Sequence, residues 1–470
     1  MKSVKVNQNI IDLEYAVRGP IPQRAAILKQ QGKNIISCNI GNPQALGQKP
    51  ITFYREVLSL LENPKMIERE KYILKNSIGD FGNISNYAIE ISEKLLSEME
   101  TGLGAYTDSK GQYFIRKSIA KFIDKRDNID SSKSSLQSNP DNIFLTDGAS
   151  EGAKAIIELL ITEKNDGIMI PTPQYPLYSA TIKRCGGTQV NYYPDEDNDW
   201  TLNKEILNES YKKATESKIN VKAIVAINPG NPTGAILDKS SIMQVIDFAE
   251  KNNLAIIADE VYQENLYGGK FISFAKAIGE RKLSLFSLHS VSKGYYGECG
   301  QRGGYLEVRN PPDIDNSTLS FTEILFKVAS VNLCSNTIGQ ILVYLMVNPP
   351  QKGSDAFDNF NQEKQTILDD LFSKATLIRK SFTEMDGMEC FGKIGALYLF
   401  PRINKLPANC NDFDYCMTLL EETGLCVVNG SGFGQKPGTN HLRIAFLPSI
   451  ESLQCVLPNW ITFHNRFVNL

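Results

Sequence analysis

Short apolar runs alternate with amphipathic segments through the middle of the chain. Runs such as Ala223–Ile227 and Ala255–Ala258 are continuously apolar, which is typical of strands buried on both faces of a sheet. Residues 149–162 instead have their apolar positions at helical spacing, which predicts an amphipathic helix. Strands that alternate with helices predict the α/β class, with a mostly parallel sheet sandwiched by helices.

The same pattern places individual elements. Strands are predicted over 142–146, 167–170, 188–193, 221–228, 254–258 and 282–288, and helices over 87–99, 111–125, 149–162, 176–184, 205–216, 239–251, 316–347 and 355–385. Four prolines interrupt the first 50 residues, so we expect an arm without long regular elements there. The helical stretch after residue 316 stops at Pro349 and Pro350, where we expect a domain boundary.

Composition narrows the class of protein. The chain has 470 residues, of which 42% are hydrophobic, enough for a large core. Lys and Arg number 50 against 53 Asp and Glu, so no basic surplus supports nucleic-acid binding. The longest apolar run, Ile341–Val347, is too short to span a bilayer. The N-terminal residues are polar and lack an apolar signal core, so we expect a cytoplasmic protein without membrane contacts.

Cysteine and histidine give no sign of a metal centre. The nine cysteines are scattered without a CxxC pair, which suits reduced thiols in a reducing compartment. Only three histidines occur, and they lack the local spacing of a zinc site. We therefore expect no metal.

A lysine directly follows the predicted strand 282–288, in the string Ser290-Val291-Ser292-Lys293. By itself, a lysine in such a place could be a solvated loop residue. It could also be partly desolvated, and the free amine would then be a nucleophile toward an aldehyde. Nine residues later, Arg302 stands among glycines, and serine hydroxyls with an arginine could cradle a phosphate.

Two loops at predicted strand ends carry further polar residues. The string Asn228–Gly234 reads NPGNPTG, which could be a tight turn or a rigid loop that presents amides at a strand end. Asp259 ends the next apolar strand, where open α/β sheets bind ligands. A carboxylate there could cap a helix, or it could pair with a protonated ring nitrogen.

Two more places suggest anion binding. Residues 146–150 join a strand to a helix, and the free N–H groups at that junction could hold a phosphate, although without a Walker lysine the signal is weak. Arg443 lies inside an apolar strand, where a guanidinium requires an anion. A substrate carboxylate, bound in a bidentate manner, would be such a partner.

Together these strings resemble the pyridoxal-phosphate-dependent aminotransferases of fold type I, class I/II. The resemblance spans roughly residues 40 to 446 and rests on GAS (148–150), PQY (173–175), NPGNPTG (228–234), ADEVY (258–262), SVSK (290–293), QRGG (301–304) and LRIAF (442–446). Longer strings resemble the alanine aminotransferase branch, namely YAVRGP (15–20), NIGNP (39–43), YTDSKG (106–111), PQYPLY (173–178) and SKGYYGECGQRGG (292–304). The spacing of nine from Lys293 to Arg302 departs from the eight common in the wider class but resembles that branch.

The resemblance implies a domain plan and a set of roles. Residues 1–60 would form an arm and part of a small α+β domain, residues 61–349 the large cofactor domain, and residues 350–470 the rest of the small domain. Lys293 would be the catalytic residue that forms the covalent link to pyridoxal 5′-phosphate and then carries the proton. The other cofactor-binding residues would be Ala149, Ser150, Tyr175, Asn231, Asp259, Tyr262, Ser290, Arg302 and, from the neighbouring subunit, Tyr106. Substrate would be bound by Gly41, Asn231 and Arg443.

The function that follows is transfer of an amino group from L-alanine to 2-oxoglutarate in a homodimer. A related transaminase that uses glyoxylate is the first alternative, and a lyase or synthase of the same fold is the second. A degenerate, non-enzymatic relative is disfavoured because Lys293, Asp259 and Arg443 are all present. A nucleotide-binding module is disfavoured because neither GxGxxG nor a P-loop opens a helix after a strand. The residue that receives the distal carboxylate of 2-oxoglutarate stays open, with Arg18 as one candidate.

Overall fold

The computed structural model describes residues 3–13, 15, 18–78, 84–130 and 132–470. Its helices are α1 Gln8–Ile11, α2 Pro20–Gln30, α3 Thr52–Glu62, α4 Lys65–Lys75, α5 Asn86–Met99, α6 Tyr113–Asp127, α7 Ala149–Leu160, α8 Leu177–Cys185, α9 Lys204–Glu216, α10 Lys239–Lys251, α11 Phe274–Ile278, α12 Phe321–Val331, α13 Thr337–Val347, α14 Phe357–Ser381, α15 Asp412–Thr423 and α16 Ile450–Phe467. Its strands are β1 Ile36–Ser37, β2 Ile143–Asp147, β3 Asp166–Pro171, β4 Thr188–Tyr192, β5 Asn220–Ile227, β6 Ala255–Asp259, β7 Leu285–Ser290, β8 Gly303–Arg309, β9 Met388–Glu389, β10 Tyr398–Leu399, β11 Arg402–Ile403, β12 Leu425–Cys426, β13 Val428–Asn429 and β14 Leu442–Ala445.

A central sheet organises the fold. Within the described ranges its strands follow the order β2-β8-β7-β6-β5-β3-β4, and neighbouring strands are parallel except where β8 runs antiparallel to β7 and β2. Apolar side chains of α7, α8 and α12 cover one face, and those of α9, α10 and α11 cover the other. Because both faces are covered, β5 and β6 are apolar almost throughout. The predicted α/β class with a sandwiched, mostly parallel sheet is confirmed.

The expectation that the first 50 residues lack long regular elements is wrong. Helix α2 spans 11 residues and begins at Pro20 itself. A proline in the first helical turn costs nothing, since the N–H it lacks has no partner inside the helix. Helix α3 was also missed, although its buried positions Phe53, Val57 and Leu61 recur at helical spacing. The undescribed residues 79–83 lie between α4 and α5.

Short strands connect the two ends of the chain. Strand β1 pairs in parallel with β12, and β14 lies between β10 and β13. Cys38 joins the two groups, because its N–H donates to Cys426 at 2.9 Å and its carbonyl accepts from Ala445 at 2.8 Å. Residues 39–41 are thereby held beside β14. The division into an arm, a large domain and a small domain stays a prediction.

In the part of the chain that the structure describes, no helix is both long and apolar enough to cross a membrane.

Candidate active site

The carboxyl ends of three adjacent parallel strands bring the predicted polar residues together. Asp259 is the last residue of β6, Lys293 follows β7 by three residues, and Asn231 follows β5 by four. These strands are neighbours in the order β7-β6-β5. Their ends therefore converge on one edge of the sheet, where α/β folds bind ligands.

Asp259 is a buried carboxylate with a neutral partner. The hydroxyl of Tyr178, a fully buried residue of α8, donates to its Oδ2 at 2.8 Å, and the N–H of Val261 lies 3.4 Å from its Oδ1. Burial raises the pKa of Asp259, while the Tyr178 hydrogen bond and the charge of Lys293 act in the opposite direction. No ion pair of Asp259 occurs within the described residues. A cationic ring nitrogen would stabilise this carboxylate.

Arg302, Ser150 and the start of α7 form an anion-binding corner. The guanidinium of Arg302 donates to the carbonyls of Cys299 (2.9 Å) and Asp147 (2.8 Å) and to the Ser150 hydroxyl (3.3 Å). Helix α7 begins at Ala149 without a side-chain cap, so its first N–H groups are free for an anion. Its N-cap is Gly148, with φ of 77°, and a Cβ there would lie 2.3 Å from a guanidinium nitrogen of Arg302.

Ser290 lies close to this corner, at the end of β7. It is buried, and its hydroxyl accepts from the N–H of Ser292 at 3.2 Å. The predicted phosphate residues Ala149, Ser150, Ser290 and Arg302 thus surround the strand and helix ends that the sequence singled out.

The N-terminal segment reaches the lysine. The ammonium of Lys293 donates to the carbonyl of Gly41 at 2.7 Å, although 252 residues separate the two. The Cys299 thiol donates to the carbonyl of Ser292 at 3.0 Å. Burial lowers the pKa of Lys293, but Tyr398, Cys299 and Tyr175 together raise it more, so the amine's pKa lies above its usual value.

Arg443 is the most deeply buried cation of the site, 1% exposed. Its guanidinium donates to the carbonyl of Asn39 at 2.6 Å and to Oδ1 of Asn231 at 3.2 Å, and its Nε has no partner. The rings of Tyr398 and Phe433 lie 4.2 Å and 4.6 Å from it. Among the described residues no carboxylate pairs with it, so an anion from outside the chain would complete this site.

The side chains of Asn231, Tyr262 and Tyr398 connect the part of the site around Lys293 to the part around Arg443. Asn231 Nδ2 lies 3.5 Å from the hydroxyl of Tyr262, at the limit of a hydrogen bond, and that hydroxyl donates to Tyr398 at 3.3 Å. All three are buried. Asn231 therefore contacts both the phenol of Tyr262 and the guanidinium of Arg443.

Tyr175 is partly exposed and contacts the N-terminal segment. The hydroxyl of Tyr15 donates to it at 2.8 Å, and the two rings meet edge-to-face with centroids 6.3 Å apart. Burial raises the pKa of Tyr15 well above its usual value, and Arg443 and Arg18 act against that rise. Arg18 itself is exposed. Residues 14, 16 and 17 of the same segment lie outside the described residues.

Tyr106 lies apart from the other predicted site residues of this chain. Its side chain is 77% exposed, in the loop between α5 and α6. Within one chain the structure therefore does not bring Tyr106 to the cofactor residues.

Sequence reasoning missed several residues that complete the site: Tyr15, Asn39, Tyr178 and Tyr398. Tyr178 had a signal, because PQYPLY places it one helical turn after Tyr175. Tyr398 had none, since an aromatic residue in an apolar run is ordinary core. Asn39 acts through its backbone carbonyl, which no side-chain pattern reveals.

The residues present fit pyridoxal 5′-phosphate with an amino-acid substrate. The corner of Arg302, Ser150 and α7 suits the phosphate, and buried Asp259 suits the ring nitrogen. The unpartnered Nε of Arg443 suits a carboxylate. No group of three or more His, Cys, Asp or Glu side chains is placed to hold a metal ion in the described ranges.

Comparison with known proteins agrees with this geometry. The family model described as aminotransferase class I and II matches residues 79–455. The chain is 40% identical to a probable mitochondrial alanine aminotransferase of Dictyostelium discoideum, covering 98% of this chain and 88% of the relative. It is also 40% identical to glutamate–glyoxylate aminotransferase 1 of Arabidopsis thaliana, covering 98% and 95%. The solved alanine aminotransferase of Pyrococcus furiosus superposes with a TM-score of 0.77 at 25% identity, covering 98% of this chain and 100% of that one.

A further relative is named as inactive. The chain is 38% identical to the inactive alanine aminotransferase of Saccharomyces cerevisiae, covering 98% of this chain and 93% of the relative. Similarity of this degree thus includes an inactive protein, so the chemistry of this chain must be judged from its own residues.

Proposed function

The chain belongs to the aminotransferase class I and II family, and we propose that it transfers the amino group of L-alanine to 2-oxoglutarate. It is a transaminase, and its cofactor is pyridoxal 5′-phosphate. The observation that supports the substrate class is the buried guanidinium of Arg443, which lacks a carboxylate partner and is linked through Asn231 and Tyr262 to the lysine end of the site.

We propose that the large-domain residues hold the cofactor. When bound, pyridoxal phosphate withdraws electrons from the substrate bonds at Cα. Arg302, Ser150 and the first N–H groups of α7 would bind its phosphate, and Asp259 would keep its ring nitrogen protonated. Tyr178 orients that carboxylate through the 2.8 Å hydrogen bond.

Lys293 carries the proton. Its amine would form the covalent link with the cofactor aldehyde and, as a free base, would take a proton from the substrate Cα. Tyr262 and Asn231 would donate to the phenolic oxygen of the cofactor. Tyr175, held by its hydrogen bond with Tyr15, would contact the cofactor ring.

Substrate is bound by the terminal segments. Arg443 takes the α-carboxylate with help from Asn231 and the backbone of Gly41. Exposed Arg18 lies close enough to Tyr15 for its charge to lower the pKa of that phenol, but no motif marks it or another arginine as the partner of an acidic side chain. We therefore propose a small amino donor, with L-alanine preferred over aspartate and the aromatic amino acids.

Glyoxylate is the second candidate acceptor. The Arabidopsis relative named for glutamate and glyoxylate is as similar to this chain as the Dictyostelium alanine aminotransferase. A lyase or synthase of the same fold remains a weaker alternative without a relative of that name among those described.

Steady-state kinetics tests the proposal. The purified protein with pyridoxal phosphate is assayed with alanine, aspartate and tyrosine as donors and with 2-oxoglutarate and glyoxylate as acceptors. We expect the highest kcat/KM for alanine with 2-oxoglutarate. Preference for aspartate or tyrosine would refute the substrate assignment while leaving the family membership intact.

We also propose that the chain acts as a homodimer, with Tyr106 reaching the cofactor phosphate of the neighbouring subunit. Tyr106, Val331 and Leu333 are large side chains that are 77%, 83% and 52% exposed. The Ser109 hydroxyl donates to the Leu333 carbonyl at 2.6 Å, so this loop and the end of α12 form one surface. Covering exposed apolar side chains favours association.

Mixed dimers test this sharing. Lys293→Ala chains and Tyr106→Phe chains are each purified and then combined. With shared sites, one site of a hybrid carries both lesions and the other carries neither, so activity rises on mixing. Sedimentation of the active enzyme as a monomer would refute the proposed dimer.

A cytoplasmic location also remains a proposal. It rests on the nine free cysteines, which suit a reducing compartment, whereas relatives from Dictyostelium and yeast are named as mitochondrial. Cell fractionation with a mitochondrial marker tests it, and co-purification with that marker would refute it.

A further inference from the structure

Tyr398 lies where the two ends of the site meet, although nothing in the sequence marked it. It is 2% exposed and belongs to β10, which pairs with β14 so that Tyr398 lies opposite Ala445. Its ring is 4.2 Å from the guanidinium of Arg443. Its hydroxyl accepts a hydrogen bond from Tyr262 at 3.3 Å.

The hydroxyl is also packed against the segment that holds Lys293. A Cβ added to Gly41 would lie only 1.8 Å from the Tyr398 oxygen, so the phenol touches the Gly41 backbone directly. The carbonyl of that same residue accepts the 2.7 Å hydrogen bond of Lys293. One phenol thus contacts Gly41, Tyr262 and Arg443 at once, and Gly41 in turn accepts the hydrogen bond of Lys293.

We propose that Tyr398 is a positioning residue for both charged groups of the site: its ring supports Arg443, and its hydroxyl packs against Gly41, whose carbonyl accepts the hydrogen bond of the Lys293 ammonium. The inference deepens the proposed function and rests on it for the roles of Lys293 and Arg443. The hydroxyl and the ring of Tyr398 can be tested separately, because Tyr398→Phe removes the hydroxyl and keeps the ring.

The charges around the pair agree with this assignment. Burial raises the pKa of Tyr398, but the positive charges of Lys293 and Arg443 outweigh it and leave the pKa of the phenol lowered. Burial and Tyr398 both raise the pKa of Tyr262, so Tyr398 is the more acidic of the two. Tyr398 is foremost among the groups that raise the pKa of Lys293. The titratable and charged groups facing this pair are Asp259, Tyr175, Tyr262, Cys299 and Arg443.

The test measures the protonation of Lys293 directly. Enzyme reconstituted with pyridoxamine 5′-phosphate leaves the Lys293 amine free. The chain is labelled with acetic anhydride across a series of alkaline pH values, with Nα-acetyllysine as internal standard, and the Lys293 peptide is quantified by mass spectrometry. The pH midpoint of labelling reports the protonation of the Lys293 amine and requires no turnover.

We expect the wild-type midpoint to lie above that of the internal standard and to fall in Tyr398→Phe. The variant should also lose about tenfold in kcat, equivalent to a shift of about one pKa unit at Lys293, while KM for alanine stays within about threefold. Tyr398→Leu, which removes the ring as well, should raise that KM.

Tyr267→Phe is the matched control. Tyr267 is another largely buried tyrosine, its hydroxyl donates to the Ala396 carbonyl at 2.9 Å, and it has no contact with Lys293 or Arg443 among those described. Loss of its hydroxyl should leave the Lys293 midpoint and the kcat unchanged.

An unchanged midpoint in Tyr398→Phe, or an equal shift in Tyr267→Phe, would overturn the inference. A wild-type midpoint at or below that of the internal standard would also overturn the inference. This measurement does not depend on whether Tyr398→Phe folds. Failure of wild-type enzyme to consume L-alanine would instead refute the proposed function, because the labelling requires no turnover.

Discussion

The two walls of the site are built in different ways. One wall, which we call the strand-end wall, consists of Asp259, Tyr178 and Lys293, close to the carboxyl ends of adjacent parallel strands. The other, the terminal wall, consists of Gly41 and Arg443 with their neighbours Asn39 and Tyr398. It is assembled from short strands at opposite ends of the chain, and the Arg443–Asn39 hydrogen bond joins residues 404 positions apart.

This difference predicts a division of labour. The strand-end wall is fixed by the core of the sheet and faces the cofactor, so lesions there should lower kcat. The terminal wall carries the guanidinium of Arg443, so lesions that disturb this guanidinium should raise KM for the amino donor. The Tyr398 hydroxyl is the exception, because it acts on the Lys293 side of the site and its loss should lower kcat. Four substitutions probe the contrast, and the first should have the largest effect.

Lys293→Ala removes the amine that carries the proton. We expect kcat to fall by at least about 10⁴-fold, because no other described amine lies at the end of β7. Cofactor binding should persist through Arg302 and Ser150, which equilibrium dialysis with pyridoxal phosphate would show. Transamination near the wild-type rate would disprove the role of this lysine.

Arg443→Lys keeps the charge but loses the planar pair of donors and the contact with both aromatic rings. We expect KM for alanine to rise about 10²-fold or more, with a smaller change in kcat. Arg466→Lys, on the exposed end of α16, is the matched control and should leave both constants unchanged. A fall in kcat without a rise in KM would contradict the assignment of Arg443 to substrate binding.

Asp259→Ala leaves the cofactor ring nitrogen without its anion. The expected loss is about 10²-fold in kcat, as for other preorganised electrostatic partners, with KM for alanine little changed. Asp259→Glu should recover part of the rate. Should Asp259→Ala turn over alanine as fast as wild type, the carboxylate would have only a structural role.

Tyr178→Phe is the substitution with the smallest expected effect on the strand-end wall. It removes the 2.8 Å hydrogen bond to Asp259 while keeping the packing of α8. We expect a loss of a few-fold in kcat and about 1 kcal/mol in the free energy of unfolding. Tyr192→Phe is its control, a buried hydroxyl that donates to the Val225 carbonyl at 2.7 Å inside the sheet. Equal kcat values for the two variants would show that Tyr178 affects stability alone.

The same contrast explains what the sequence could predict. Strand ends are local features, so the apolar run before Asp259 and the turn after β7 indicated two residues of the strand-end wall, Asp259 and Lys293, whereas the order of the strands was not predicted. Helix α10 was predicted at 239–251 from its apolar period and is observed there, with its first turn capped by the side chain of Asp238.

The terminal wall depends on contacts that have no local signal. Arg443 was found because a guanidinium in an apolar strand is unusual, but nothing indicated Tyr398 or the carbonyl of Asn39. Helix α2 was missed because a proline can begin a helix as well as break one. The role of Tyr106 stays a prediction, since it concerns a second chain.

The most direct test of the account is a single half-reaction. Enzyme loaded with pyridoxal phosphate is mixed with excess L-alanine and no oxo acid, and the visible absorption band of the cofactor is followed while pyruvate is quantified. We predict loss of the band and release of one pyruvate per active site, to be reversed by 2-oxoglutarate. An unchanged band with no pyruvate, from protein shown to hold its cofactor, would contradict the account and place this chain beside its inactive yeast relative.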